Sequence, residues 1–305
     1  MSWAAKNSYC LVTNAMALET TRGTALAGWA TNRRRVHAAP NSALLAKPVQ
    51  KLDNGDLAVG SRAITHTETV GVYYEATPSG WPTKSELIQF LIGCLGVTPT
   101  AGVMEPEITS GNIIPPMMDY GYLFGQGYFN ASVYVSSFGL SWSQSSGKIE
   151  FNHTLSTEFA PTATTTPATI PLIMTGDELT SADLTFTGGM PSGCEAKSFS
   201  LTITPGAPDV RVCAGGELVL YYSGDFSATY EIVVDADSSL DFNALTLNGS
   251  TDAGVALDGL GIMIQNCDCE VNSLGIDGQL QTWSATFTGV DDPSGKRIVR
   301  ISGAT

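Results

Sequence analysis

The sequence predicts a mainly β protein: a β-sandwich or partly closed barrel with one flanking α-helix and an extended N-terminal arm. Three observations carry this reading. The second half is a succession of short β-branched and aromatic segments separated by turn residues. In "SFSLTIT" (198–204), Phe199, Leu201 and Ile203 alternate with Ser and Thr, the pattern of a sheet with one buried and one wet side. Only "TKSELIQFLIGCLG" (83–96) carries a clear helical period.

The elements follow in chain order. Residues 1–62 mix polar, basic and small side chains with no sustained period and read as an extended arm and loop, with a short strand or turn. Residues 63–305 read as a single β domain. "ETVGVYYEA" (68–76) is a strand and "TPSGWP" (77–82) a turn. In the helix, Thr83 caps the first turn and Glu86 completes a capping box. Leu87, Phe90, Leu91, Cys94 and Leu95 form one stripe, with Leu87, Phe90, Leu91 and Leu95 as its packing residues, and Gly96 suits a left-handed stop.

Residues 97–131 are rich in Pro, Gly and Met and read as one long loop. Pro106, Pro115 and Pro116 exclude a long helix or central strand. Its apolar content (Met117, Met118, Tyr120, Tyr122, Phe124, Tyr128, Phe129) calls for cover from the domain or from another subunit. "SVYVSSFGLSW" and "KIEFNHTLSTEF" flank "SQSSG" (143–147) as a hairpin, and "APTATTTPATIP" (160–171) is a connector. Strands are then expected at 183–189, 198–206, 217–224, 229–236, 260–271, 280–290 and 297–302.

Charge is low in amount and uneven in place. Charged residues make up 14% of the chain, below the roughly 25% of ordinary domains, so the protein buries much surface or covers it with partners. The net charge is −14. Residues 1–62 hold eight Lys and Arg against three Asp and Glu; the remainder holds seven against 26. An acidic body repels nucleic acid, so ordinary DNA binding is not expected. The basic front, with Arg22, Arg33, Arg34 and Arg35, is either a solvated tail or a segment that meets carboxylates, its own or a neighbour's.

Few residues offer catalytic or metal chemistry. His37, His66 and His153 fall in no zinc pattern, and no nucleophile elbow, P-loop or dinucleotide fingerprint is present. "DADSSLD" (235–241) has alternating oxygen donors, but Leu240 stands where a calcium loop needs Gly, so it reads as an acidic turn. Cys10, Cys94, Cys194 and Cys213 read as small buried or half-buried residues, as do Cys267 and Cys269, whose disulfide or metal state the spacing leaves open. No catalytic residue, metal or cofactor is expected, and glycoside hydrolysis is the only enzymatic reading worth keeping. The longest apolar run, 87–97, is too short to span a bilayer; no signal peptide is read at the front, and Met16 stays open as an alternative start.

The order of parts resembles the major tail tube proteins of long-tailed bacteriophages. The residues that carry the resemblance are "ETTRGT" (19–24), the helix ending "LIGCLG", the long loop and hairpin after it, and a β half with "SFSLTITPG" and "WSATFTGV" before a short end strand. The resemblance implies a sandwich or barrel with one helix, copies joined in six-membered rings, and rings stacked into a hollow tube through which DNA passes without specific binding. It implies a virion protein made in the host cytoplasm, whose partners are itself and other tail proteins, with no membrane anchor. Arg22, Arg33, Arg34, Arg35, Met117, Met118, Tyr120, Tyr122 and Phe124 are then the candidate inter-subunit contacts, and the wet Ser/Thr face of strands such as 198–204 a candidate tube lining. The alternatives are another virion β protein, such as a capsid decoration or baseplate component, and a carbohydrate-binding sandwich using Trp81, Trp142 or Trp283.

Overall fold

The computed structural model describes residues 9–13, 21, 23–24, 33–35, 45–55, 64–106, 118–124, 126–164, 178–190, 194–212, 218–223, 226–236, 251–277, 280–290 and 298–305. These form nineteen strands and one α-helix. Three strands come from the first 62 residues: β1 (Tyr9–Thr13), β2 (Arg33–Arg35) and β3 (Leu45–Gly55). β4 (Ile64–Ala76) and β5 (Ser79–Gly80) lead into α1 (Lys84–Leu95). Then come β6 (Val103–Met104), β7 (Met118–Phe124), β8 (Gln126–Ser143), β9 (Ile149–Thr157) and β10 (Thr162–Thr164). The C-terminal half supplies β11 (Leu184–Phe186), β12 (Cys194–Thr204), β13 (Ala207–Val212), β14 (Leu218–Ser223) and β15 (Ser227–Ala236). It ends with β16 (Thr251–Leu257), β17 (Leu260–Asp277), β18 (Leu280–Gly289) and β19 (Val299–Ser302). The protein is mainly β, its strands are antiparallel, and the large sheet is not closed into a barrel.

Inward-facing side chains fold that sheet into two layers. One layer runs β4–β9–β8–β12–β15–β18. The other runs β11–β16–β17–β19–β6. An aromatic ladder packs between them. Phe186 of β11 meets Trp142 of β8 and Phe199 of β12, with ring centroids 6.1 and 6.0 Å apart; Phe199, Tyr230 and Phe287 continue it at 6.1 and 5.9 Å. Edge-to-face pairs of this kind add stabilisation beyond the area they bury.

Two 18-residue strands pass from one sheet region to another, and each does so at a non-glycine residue with positive φ. In β17 that residue is Asn266 (φ 53°). Residues before it pair with β16 and β19; residues after it pair with β18, with Cys267 also opposite Thr251 of β16. In β8 it is Ser132 (φ 53°). The stretch before it pairs with β7 and β10, and the stretch after it with β9 and β12, with Val133 still opposite Met118 of β7. β1 adds to β7, and β2 to β1, so an annex of five strands, β2–β1–β7–β8–β10, grows from the near half of β8.

The annex corrects the reading of 97–131 as one long loop. Residues 118–124 and 126–131 belong to strands that pair with each other, Phe124 opposite Gln126. Met118, Tyr120, Tyr122 and Phe124 alternate with Asp, Gly and Leu, which is the period of a strand; the surrounding Pro and Gly mask it. Residues 162–164 of the Thr/Pro connector are also a strand. Within residues 1–62, β1 pairs with β7, and β3 pairs with β4 along most of its length.

The helix follows its local chemistry. The Thr83 side chain accepts from Glu86 N at 3.3 Å, and Thr83 N donates to Glu86 Oε2 at 2.6 Å, closing the capping box. Gly96 stops it at φ 69° with its N–H on the Ile92 carbonyl. Leu87, Phe90, Leu91 and Leu95 are buried, but so are Ile88, Gln89 and Ile92 on the other side. A helix buried all round is a core helix rather than one laid on a surface. Phe90 stacks on Phe151 and His153 of β9, the Cys94 thiol reaches the Ile203 carbonyl of β12, and Lys84 Nζ donates to the Asp258 carbonyl in the β16–β17 turn.

Candidate functional site

The alternation that aims aromatics inward puts hydroxyls and carboxylates outward, and strand register gathers them into rows. One row crosses six strands as Glu150–Ser141–Ser200–Glu231–Thr286–Glu270. The next runs Asn152–Gly139–Thr202–Thr229–Thr288–Asp268. Glu150, Asn152, Glu231, Asp268, Glu270 and Thr288 are exposed and the other members half-buried. Neither row contains a Lys or Arg. Gly139 belongs there on steric grounds: a Cβ would lie 2.6 Å from the Asn152 carbonyl oxygen.

Short polar contacts link neighbouring strands at this face. Asn272 Nδ2 donates to Thr286 Oγ1 at 2.7 Å, the Ser273 and Ser284 hydroxyls are 2.8 Å apart, and Thr282 Oγ1 donates to Asp235 Oδ1 at 3.0 Å. Lys197 approaches Asp235 at 3.3 Å, at the end of the face. The face is a hydroxyl floor studded with negative charge. Its two rows repel phosphates and offer them no cation to exchange for a counterion.

Beneath this face lies His153. It is fully buried among Phe90, Phe138 and Phe151, with ring centroids 4.5 to 4.7 Å away. Its Nδ1 accepts from Gly139 N at 3.3 Å. Desolvation lowers its pKa to about 3, so the ring is neutral. With Nδ1 accepting, Nε2 carries the proton, and no hydrogen-bond acceptor meets it. A neutral histidine stacked in aromatics is a core residue.

The structure separates the candidate contact residues. Arg33, Arg34 and Arg35 form β2, opposite Thr13, Val12 and Leu11 of β1. Met118, Tyr120, Tyr122 and Phe124 lie in β7; Tyr120 is buried at the root of the annex. Arg22 and Met117 lie outside the described residues, as do 237–241 of the acidic turn and His37. Asp235 closes β15 and is held by Lys197 and Thr282. Cys267 is buried and its thiol pushed up to about 12 by desolvation; Cys269 is half-buried and also raised, and both are free. Among the described residues no group of three or more His, Cys, Asp or Glu is placed to hold a metal. Trp142 and Trp283 belong to the core, whereas Trp81 is 45% exposed with Lys148 Nζ 3.7 Å over its ring.

Local pattern did not single out Glu150, Glu231, Asp268 and Glu270. Each stands at an outward position of its strand, which the sequence shows, but their alignment depends on pairings between strands distant in the chain. No family model matches the chain, and no curated protein matches it. Among the described residues no helix is long and apolar enough to cross a membrane.

Proposed function

We propose that this chain is the repeating subunit of a hollow tail tube of a long-tailed bacteriophage. Copies associate into rings of six, the rings stack, and DNA passes along the bore. The observation that carries the reading is the pair of rows across β9, β8, β12, β15, β18 and β17, made of hydroxyl, amide and carboxylate groups without a cation. Turned toward a bore, this face keeps a polyanion moving, because every phosphate it meets is repelled and none is bound. The uneven charge of the chain supports the same reading: unlike surfaces on one molecule favour head-to-tail contacts, which propagate. In this reading the protein is a structural component of the virion tail, made in the host cytoplasm, with itself and other tail proteins as partners.

Negative-stain microscopy of the purified full-length chain tests it. Long tubes with a central bore are expected. A chain that stays monomeric at high concentration, or binds as single copies to capsids, overturns the proposal and favours a decoration role.

A further inference from the structure

We infer that a turn near the front of the chain is a clasp that fixes the angle of the annex, and that withdrawing it lets the annex swing about Ser132. The inference concerns one copy and does not depend on the assembly proposed above.

Among the described residues, two stretches of chain cross from body to annex at this joint. One is β8, whose near half pairs with β7 and β10 and whose far half pairs with β9 and β12. The other is the link from β9, a body strand, to β10, an annex strand, and Phe159 lies in it. The crossings are tied to each other. Asn130 Nδ2 donates to the Phe159 carbonyl at 2.8 Å. Thr157 Oγ1 donates to the Ala131 carbonyl at 3.2 Å and accepts from Phe159 N at 3.1 Å.

One turn touches both crossings. In it Thr24 N donates to the Thr21 carbonyl at 3.2 Å. Gly23 N donates to Ser132 Oγ at 2.5 Å, and a Cβ on Gly23 would lie 3.1 Å from Cζ of the Phe159 ring. Gly23 has φ 75°, in the left-handed region that favours glycine. Conformation and contact both call for a residue without a side chain. In sequence the turn lies between β1 and β2, and β1 pairs with β2 and with β7. The chain thus leaves the annex, touches both crossings and returns to the annex.

The clasped geometry carries two costs. Ser132 holds φ 53° inside β8, a conformation that a non-glycine residue keeps only when its surroundings hold it there. Asn130 Oδ1 is buried and meets no donor. Returning Ser132 to extended backbone relieves the first cost. It also turns the near half of β8 against the far half, which opens Asn130 to water and relieves the second. The turn resists this swing because it grips Ser132 on one crossing and Phe159 on the other. It belongs to the segment that carries β1 and β2, so docking of the chain's front onto β7 and setting of the annex angle are coupled.

Hydrogen exchange and single-molecule energy transfer on the full-length chain test the clasp. The labels go at Thr162 of β10 and Glu231 of β15, both exposed, and are introduced without cysteine. Gly23→Val sets a branched side chain against Phe159 and should unseat the turn. Exchange in 128–134 and 157–163 should then quicken by about tenfold or more, and a second label separation should appear. Residues 198–204 and 280–290 should exchange as in wild type. Gly23→Ala should affect the same peptides to a smaller degree. Ser132→Ala alone removes the bond but leaves the seat on Phe159, so exchange quickens with a single label separation. Added to Gly23→Val, it should change nothing further. Unchanged exchange in both Gly23 variants overturns the inference. So does equal quickening in 198–204 and 280–290, which would make the turn a part of the body's stability. Effects of Gly23→Val and Ser132→Ala that simply add overturn it as well.

Discussion

The two-layered body and the five-stranded annex use the same chain in opposite ways. In the body, each strand has a buried face: Phe138, Leu140 and Trp142 of β8, Phe199, Leu201 and Ile203 of β12, Tyr230, Ile232 and Val234 of β15, Trp283, Ala285 and Phe287 of β18. Its stability comes from apolar area removed from water at ~25 cal/mol per Å². The annex is anchored at its root by the buried Tyr120 and by a set of polar contacts. Gly23 N donates to Ser132 Oγ at 2.5 Å, Asn130 Nδ2 to the Phe159 carbonyl at 2.8 Å, and Thr157 Oγ1 to the Ala131 carbonyl at 3.2 Å. Hydrophobic burial fixes a shape regardless of small errors, whereas a few directional bonds fix an angle. The body is built to be stable, and the root of the annex to be aimed.

Deleting a body side chain should break the comparison most severely. Phe151→Ala removes a ring packed on Phe90 and His153 and should cost about 3–5 kcal/mol, read from urea unfolding of the variant. Next comes acid. His153 has an ordinary pKa of 6.5 when unfolded and about 3 when folded, so below pH 6.5 the unfolded chain takes up the proton first. The stability of the neutral ring is complete above pH 6.5 and drains away as pH falls toward 3, by a few kcal/mol. His153→Leu should flatten that part of the stability–pH curve relative to wild type; equal slopes would contradict the buried neutral state.

Smaller effects sharpen the contrast. Thr83→Ala leaves Glu86 N without its cap and should cost about 1 kcal/mol in thermal unfolding. Ser132→Ala loses the Gly23 bond and keeps the strained φ. Hydrogen exchange should quicken in 118–133 and stay unchanged in 138–155, since the body does not depend on that bond. Glu231→Gln with Glu270→Gln should leave unfolding within about 0.5 kcal/mol of wild type, because both side chains are exposed.

What the sequence disclosed divides along the same line. The helix was legible because its signals are local: Thr83, Glu86 and Gly96 act within a few residues of themselves. Strands such as 198–204 and 280–290 were legible because alternation is local too. β7 was obscured by the Pro and Gly around its alternating aromatics. β16, "TDAGVAL", carries little strand signal because Ala and Gly are weak strand formers, and its pairing with β11 and β17 imposes the conformation. The burial of α1 on all sides was half legible: Ile88 and Ile92 lie off the stripe, and only a second covering layer explains them. The carboxylate rows were legible as outward positions but not as neighbours, since Glu150 and Glu270 meet one face through five intervening pairings.

The uninterrupted course of β8 through Ser132 has a mechanical consequence. A pull on the annex travels along covalent backbone into the middle of the body sheet, where β9 and β12 flank the far half of the same strand. Those ladders are then loaded lengthwise, all at once, instead of being unzipped one bond at a time. A molecule wired this way bears tension as a cable bears it, with its strongest part taking the strain delivered by its most outlying one.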